Sequence, residues 1–399
     1  MSTVSASATA FPTPVVVAPT REQRAAPPQP ISVLHVVNGE HFSGAERVQS
    51  HLGRCLPALQ VRADFACVKP ALFADHIEQA GGELGSVYRL PMRGRMDFRV
   101  AYKLSQLVRR EGYELLHAHT PRTAVLAAAA ARLCGVPWIY HVHSPAARDS
   151  ARPWVNRINA VTEWLSLRNC AHLITVSNSL LQDTIQNGWP AHRASVVHNG
   201  VPAIRPTRTH TPVVGGPWVL GMVALMRPRK GLEIAIEAIS HLKNTGHDVR
   251  LRCIGPFETQ AYRKLIDAKV EQLQVADRIE FTGFAKHVPE ALAQLDAMVL
   301  PSLYGEGLPM VVLEAMAAAL PVVATRVEGT PEAIRHGREG LLAEPQCSLS
   351  LAEQITALVE GQYDWQQLAE AACQRHAKHF SDTAMAEGTA AVYRDVLSR

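Results

Sequence analysis

The chain's seven cysteines (Cys55, Cys67, Cys134, Cys170, Cys253, Cys347 and Cys373) include no C-x-x-C pair and stand singly along 399 residues. That scatter gives no disulfide framework and no zinc spacing, and it matches free thiols in a reducing compartment. No run of 18 or more apolar residues escapes charge, so no membrane-spanning helix is expected. A cationic start followed by a long apolar stretch is also missing. Residues 1–29 are instead rich in Ala, Pro, Ser and Thr, with Val15-Val16-Val17 between prolines, and read as a disordered tail, not a signal peptide. Aromatics are scarce, at 6%, and no aromatic-interleaved basic motif occurs, so nucleic acid is not an expected partner. The expected location is the cytoplasm.

Hydrophobic residues make up 47% of a chain long enough for two cores, since single cores stop growing near ~250–300 residues. The net charge of +4 hides an asymmetry. Residues 30–205 hold 19 Lys and Arg against 12 Asp and Glu, whereas residues 206–399 hold 19 against 23. Part of the first-half excess is dense: Arg89, Arg93, Arg95, Arg99, Lys103, Arg109 and Arg110 fall in and before one helical pattern. A solvated helix face explains such a run, and so does peripheral contact with the anionic inner face of a membrane.

Short β-branched runs alternate with helical patterns in both halves, the signature of strand-helix-strand units on parallel sheets. Strands are expected at 31–37, 63–68, 115–118, 138–142, 172–176 and 195–198, then at 218–224, 249–254, 279–282, 297–301 and 321–325. The region from Pro202 to Pro217, with four prolines and Gly215-Gly216, shows no period. The fold class is therefore α/β, with two Rossmann-like doubly wound domains. Their expected bounds are 30–205 and 218–375, joined by a linker at 206–217, with a helical segment at 376–399 packing back on the first domain. In such folds ligands lie beyond the carboxyl ends of the strands, so the site is expected in the cleft between the domains.

Chemistry concentrates in a few segments. Tyr304-Gly305-Glu306-Gly307-Leu308-Pro309 leads from a strand into a helix through Met310 to Ala317. The glycines allow close backbone approach, and the N–H groups at a helix start favour a phosphate. Glu314 is the sole charge in an apolar stretch, where a carboxylate needs partners, either structural ones or ligand hydroxyls. Met226-Arg227-Pro228-Arg229-Lys230-Gly231 sets cations at another helix start, suited to a diphosphate. Ser43 and Glu46 have capping-box spacing. His119, His141 and His143 end strands facing the cleft, but no carboxylate or Cys completes a ligand set at the right spacing, so no metal is expected. His141 is expected on the opposite strand face from His143, in a structural role.

The Glu306 to Glu314 segment resembles the E-x7-E region of the family 4 retaining glycosyltransferases, and the resemblance covers nearly the whole chain after residue 30. It implies the two-domain GT-B fold and a nucleotide diphosphate sugar as co-substrate, with no further cofactor. It also implies a glycan or lipid-linked acceptor in polysaccharide or cell-envelope synthesis. By that resemblance Glu306 contacts the donor hexose, Glu314 the ribose, and the backbone of Gly307 and Leu308 the diphosphate. Lys230 matches the family's diphosphate lysine. The usual arginine position falls on Ala224 or Leu225, so Arg227 stands in, with Arg229 behind it. Gly283 and Phe284 match the base-binding turn, Gly44 the glycine turn near donor phosphate and acceptor, and His143 the cleft histidine near the reacting sugar. His119 is expected to line the cleft, and Asn199-Gly200-Val201 to shape the turn before the linker. A nucleotide-sugar epimerase of the same fold, or a non-catalytic nucleotide-sugar-binding scaffold, remains an alternative at this point.

Overall fold

A computed structural model of the protein describes residues 30–42, 44–94, 97–144, 167–204 and 211–399. The expected N-terminal tail, Ser43 of the expected capping box, Arg95 of the basic run and part of the expected linker lie outside these residues. Two parallel sheets dominate. The first holds β1 (Ile31–Val37), β2 (Val61–Cys67), β3 (Val87–Arg89), β4 (Leu115–Ala118), β5 (Trp138–Val142), β6 (His172–Thr175) and β7 (Ala194–Val196). Its order is β3-β2-β1-β4-β5-β6-β7. The second holds β8 (Trp218–Val223), β9 (Val249–Ile254), β10 (Ile279–Gly283), β11 (Ala297–Leu300), β12 (Val322–Thr325) and β13 (Gly340–Ala343), ordered β10-β9-β8-β11-β12-β13. Each strand is a short run rich in Val, Ile, Leu and Ala and mostly buried, as parallel strands covered on both faces must be.

Both sheets reverse direction of winding beside their first strand, at β1/β4 and at β8/β11. At such switch points the loops leaving neighbouring strands part to opposite faces and open a crevice. The two crevices face each other. Among the described residues no helix is long and apolar enough to cross a membrane.

The halves are also clasped directly. Glu332, in the short helix Thr330–Ala333, accepts hydrogen bonds from the Asn178 and Ser179 amides (2.7 and 2.8 Å) at the start of the first-half helix Asn178–Gln186, and meets His198 Nε2 at 3.2 Å. Burial alone would raise the pKa of this carboxyl, but the hydrogen bonds from His198 and the two amides outweigh it and hold it down at about 2. The last helix, Asp382–Leu397, returns to the first half, where Arg54 pairs with Asp382 and Arg394 donates to the Leu59 carbonyl at 2.7 Å. Where the chain first leaves the first half it runs beside its own return. Val201 N–H donates to Phe380 O (3.0 Å) and Asp382 N–H to Val201 O (3.1 Å).

Candidate active site

The crevices merge into one cleft of about 850 Å³. Its first-half wall carries Asn38, Phe42, Gly44, Arg47, His119, Arg122 and His143, and its second-half wall Arg227, Arg229, Lys230, Phe284 and Glu306 to Pro309. Asn38 and His119 stand just past β1 and β4, on either side of the first switch point, as the topology requires.

After β8 the chain makes a tight turn, Pro228–Lys230, and reverses at Gly231 with φ +71°. A Cβ there would sit 2.0 Å from the Pro301 carbonyl, so only glycine lets this turn press against the end of β11. The turn carries Lys230 to Glu306, and the two form an ion pair with side chains 14% and 6% exposed. Burial pushes the Lys230 pKa down, against the pull of Glu306. Ser302 Oγ–H donates to the same Glu306 oxygen at 2.6 Å, and Arg229 braces the glycine turn by donating to Gly305 O at 2.7 Å. Arg227 lies 3.6 Å from Glu258 of the same half. The site's floor is thus a carboxylate fixed between an ammonium and a hydroxyl, with two guanidiniums above it.

Gly307 brings the halves into contact. A Cβ there would lie 2.2 Å from His143 O and 3.0 Å from Leu180 and Val176, so the loop of the second half touches the first half backbone to backbone. Asn199 Nδ2 donates to Leu308 O at 3.0 Å, which gives the Asn199-Gly200-Val201 turn a contact with the site beyond backbone geometry. Gly44 opens the helix Gly44–Cys55 and faces Met310.

Glu314 is 2% exposed, does not line the cleft, and forms an ion pair with Arg47, which does. Burial raises the Glu314 pKa, with Arg47 pulling it down. Its oxygens accept no well-aligned hydrogen bond among the described residues. Sequence reasoning missed Arg47 and Ser302. The signal for Arg47 was a cation in the first turn of the helix that Gly44 opens. Gly283 ends β10 outside the cleft lining, whereas Phe284 is 77% exposed and lines it.

The histidines correct one expectation. His141 and His143 share a face, their rings stacked with centroids 4.4 Å apart, because residues two apart on a strand point the same way. His119 Nδ1 lies 3.2 Å from His143 Nε2. His35 and His117, from β1 and β4, join the group, so ring nitrogens of His35, His117 and His119, and of His119, His141 and His143, converge within 4.8 Å. These two sets are where a divalent ion would find ligands. Both are all-imidazole, and burying such a charge without an anionic ligand is costly. Burial lowers all five pKa values, that of His143 to about 4 and that of His35 to about 3, so the rings are neutral near pH 7.

Comparison with known proteins bears on the family and the fold. Residues 217–361 match the family described as glycosyl transferases group 1, and residues 42–205 match glycosyltransferase family 4. Over 291 residues the chain is 32% identical to a glycogen synthase of Mycobacterium tuberculosis, covering 70% of this chain and 68% of that one. An Escherichia coli UDP-Gal:alpha-D-GlcNAc-diphosphoundecaprenol alpha-1,3-galactosyltransferase is 25% identical over 335 residues, 79% of this chain and 84% of its own. In fold, the chain is similar to Anabaena HepE crystallised with UDP-glucose, with a TM-score of 0.77, 23% identity, and coverage of 92% of this chain and 100% of that one.

Proposed function

The chain belongs to the group 1/family 4 glycosyltransferases of GT-B fold, and we propose that it transfers a hexosyl residue, with retention, from a nucleotide diphosphate sugar to a lipid-linked glycan acceptor. The observation that carries this reading is the buried Lys230–Glu306 pair, set at the second switch point with Ser302 behind it and two guanidiniums beside it.

In this reading Lys230, Arg227 and Arg229 face the diphosphate, where fixed cations stabilise the charge that develops on the leaving group. The Gly307 and Leu308 backbone approaches the same phosphates. Glu306, held by Lys230 and Ser302, orients the hexose hydroxyls. Glu314 addresses the ribose through Arg47, and Phe284 covers the base. The acceptor hydroxyl attacks the anomeric carbon from the side on which the diphosphate departs, and a phosphate oxygen takes its proton. His143 hydrogen-bonds beside the reacting centre, and no protein nucleophile is assigned.

Two features support a lipid-linked acceptor. The first-half wall combines Phe42, Met92 and Phe98 with Arg122, apolar contact beside a cation. Phe98, 53% exposed, adjoins the helix Arg99–Glu111, whose outer face shows Tyr102, Lys103, Arg109 and Arg110. Aromatics and cations together suit peripheral binding to an anionic membrane surface. The related galactosyltransferase bears a diphosphoundecaprenol acceptor in its name.

A thermal-shift panel of nucleotide sugars identifies the donor, since a bound ligand raises apparent stability by mass action. With that donor, Glu306→Gln and Lys230→Ala each lower turnover about a hundredfold, the usual loss of one preorganised contact. Full turnover in both variants rejects the assignment.

A further inference from the structure

We infer that Tyr393, on the helix returning from the C-terminal end, is a positioning residue that fixes, through His35 and His119, which ring nitrogen of His143 carries the proton. This rests on the reading of His143 as the histidine beside the reacting sugar.

The connection is a continuous line of hydrogen bonds through the core of the first half. Tyr393 Oη lies 2.7 Å from His117 Nδ1 and 3.2 Å from His35 Nε2. His35 Nδ1 lies 2.9 Å from His119 Nε2, and His119 Nδ1 lies 3.2 Å from His143 Nε2. Tyr393, His35 and His117 are fully buried and His119 is 3% exposed. A neutral imidazole has one donor and one acceptor nitrogen, so each bond in such a line dictates the direction of the next. Burial keeps the Tyr393 phenol protonated, and its single O–H serves one neighbour while its lone pairs serve the other.

Only two directions exist. If Tyr393 donates to His117, every later bond points back toward Tyr393, His143 donates from Nε2, and His117 carries its proton on Nε2. If Tyr393 donates to His35, every later bond points toward the cleft, His143 accepts at Nε2 and carries its proton on Nδ1, and His117 donates from Nδ1 to the phenol. Among the described residues neither His117 Nε2 nor His143 Nδ1, both buried atoms, has a partner, so either direction leaves one N–H unmatched. In the first direction that N–H is at His117, sealed in the core. In the second it is at His143, whose Nδ1 is itself covered but belongs to a part-exposed residue of the cleft wall, where a small turn of the ring brings it to a substrate oxygen. An orphaned N–H deep in a core is the costlier arrangement. The line therefore runs toward the cleft and presents His143 as an Nδ1–H donor.

The test is the ring 15N spectrum of His143 in the full-length protein, which distinguishes the two tautomers, read together with steady-state kinetics. Tyr393→Phe removes the phenol with little change in shape. The expected result is a shift of His143 from Nδ1–H toward a mixture of tautomers, with kcat lowered roughly tenfold or more and KM for the donor unchanged, the pattern of lost orientation of a functional imidazole. His117→Phe leaves Tyr393 to donate to His35 alone and retains the wild-type His143 spectrum. Asp382→Asn loosens the same helix at its Arg54 pair, lowers Tm and leaves the His143 spectrum unmoved. Wild-type tautomer and kcat in Tyr393→Phe overturn the proposal. So does an equal spectral change in Asp382→Asn, which would mean that helix docking alone sets His143. If His143→Ala keeps full turnover while Tyr393→Phe still moves the tautomer, the catalytic reading of His143 fails and the linkage stands.

Discussion

Replacing Glu332 by Gln keeps the shape of the clasp between the halves and removes its charge. The carboxyl titrates at about 2 in the folded protein against 4.5 ordinarily, held down by His198 and the Asn178 and Ser179 amides against the cost of burial. At about 1.4 kcal/mol for each tenfold change, that lowering corresponds to roughly 3 kcal/mol. Because the group is partly exposed and screened by solvent, about half of this, roughly 1.5 kcal/mol, is the expected loss near pH 7. A depressed carboxyl stabilises the fold above its unfolded pKa, and that contribution disappears as pH falls through the folded one. The wild type should therefore exceed Glu332→Gln in stability at pH 7, and the gap should narrow as pH drops from about 4.5 toward about 2. Urea unfolding of both proteins across this range measures the gap, and thermal melting at pH 7 should show a deficit on the order of 1–3 °C. A gap that stays constant down to pH 3, or none at pH 7, refutes the assignment of the clasp to the charged carboxylate.

Arg47→Met leaves Glu314 as a buried carboxylate without its cation. Chemical denaturation should show a loss of roughly 2–3 kcal/mol, below that of a wholly buried pair because Arg47 is part-exposed, with recovery when Glu314→Gln is added. Gly307→Ala forces the second-half loop away from His143 O, so kcat should fall on the order of a hundredfold while circular dichroism stays unchanged. Flotation with liposomes should capture the protein when anionic lipid is present and lose it with added salt. Replacing Lys103, Arg109 and Arg110 by Gln should weaken that capture without altering donor binding.

Much of this architecture was legible in the sequence because parallel strands announce themselves as β-branched runs. β1, β4, β5 and β9 have the expected bounds. β3 and β13 escaped notice because each is short: Val87–Arg89 is three residues at a sheet edge, and Gly340–Ala343 begins with glycine and contains no β-branched residue. The cations and carboxylates around Lys230 and Glu306 were visible because charge stands out in an apolar run. Their partners were harder to see. Arg47 reaches Glu314 across 267 positions of chain, and His35 meets His119 only because β1 and β4 are neighbours in the sheet. Contacts of that kind depend on topology, which no local pattern encodes. The His141 face was a different failure, since the period of two was there to be applied.

The backbone bonds between Val201 and the Phe380 to Asp382 segment have a mechanical consequence. Two chain crossings that were far apart would act as struts and hold the walls of the cleft at a fixed angle. Zipped side by side, they form a single pivot, so the mouth can widen by swinging while the two halves cannot slide past or separate from each other there. A swing about that pivot would move the contacts farthest from it the greatest distance, and it would have to loosen the Glu332 clasp and the Gly307 contact as it did so.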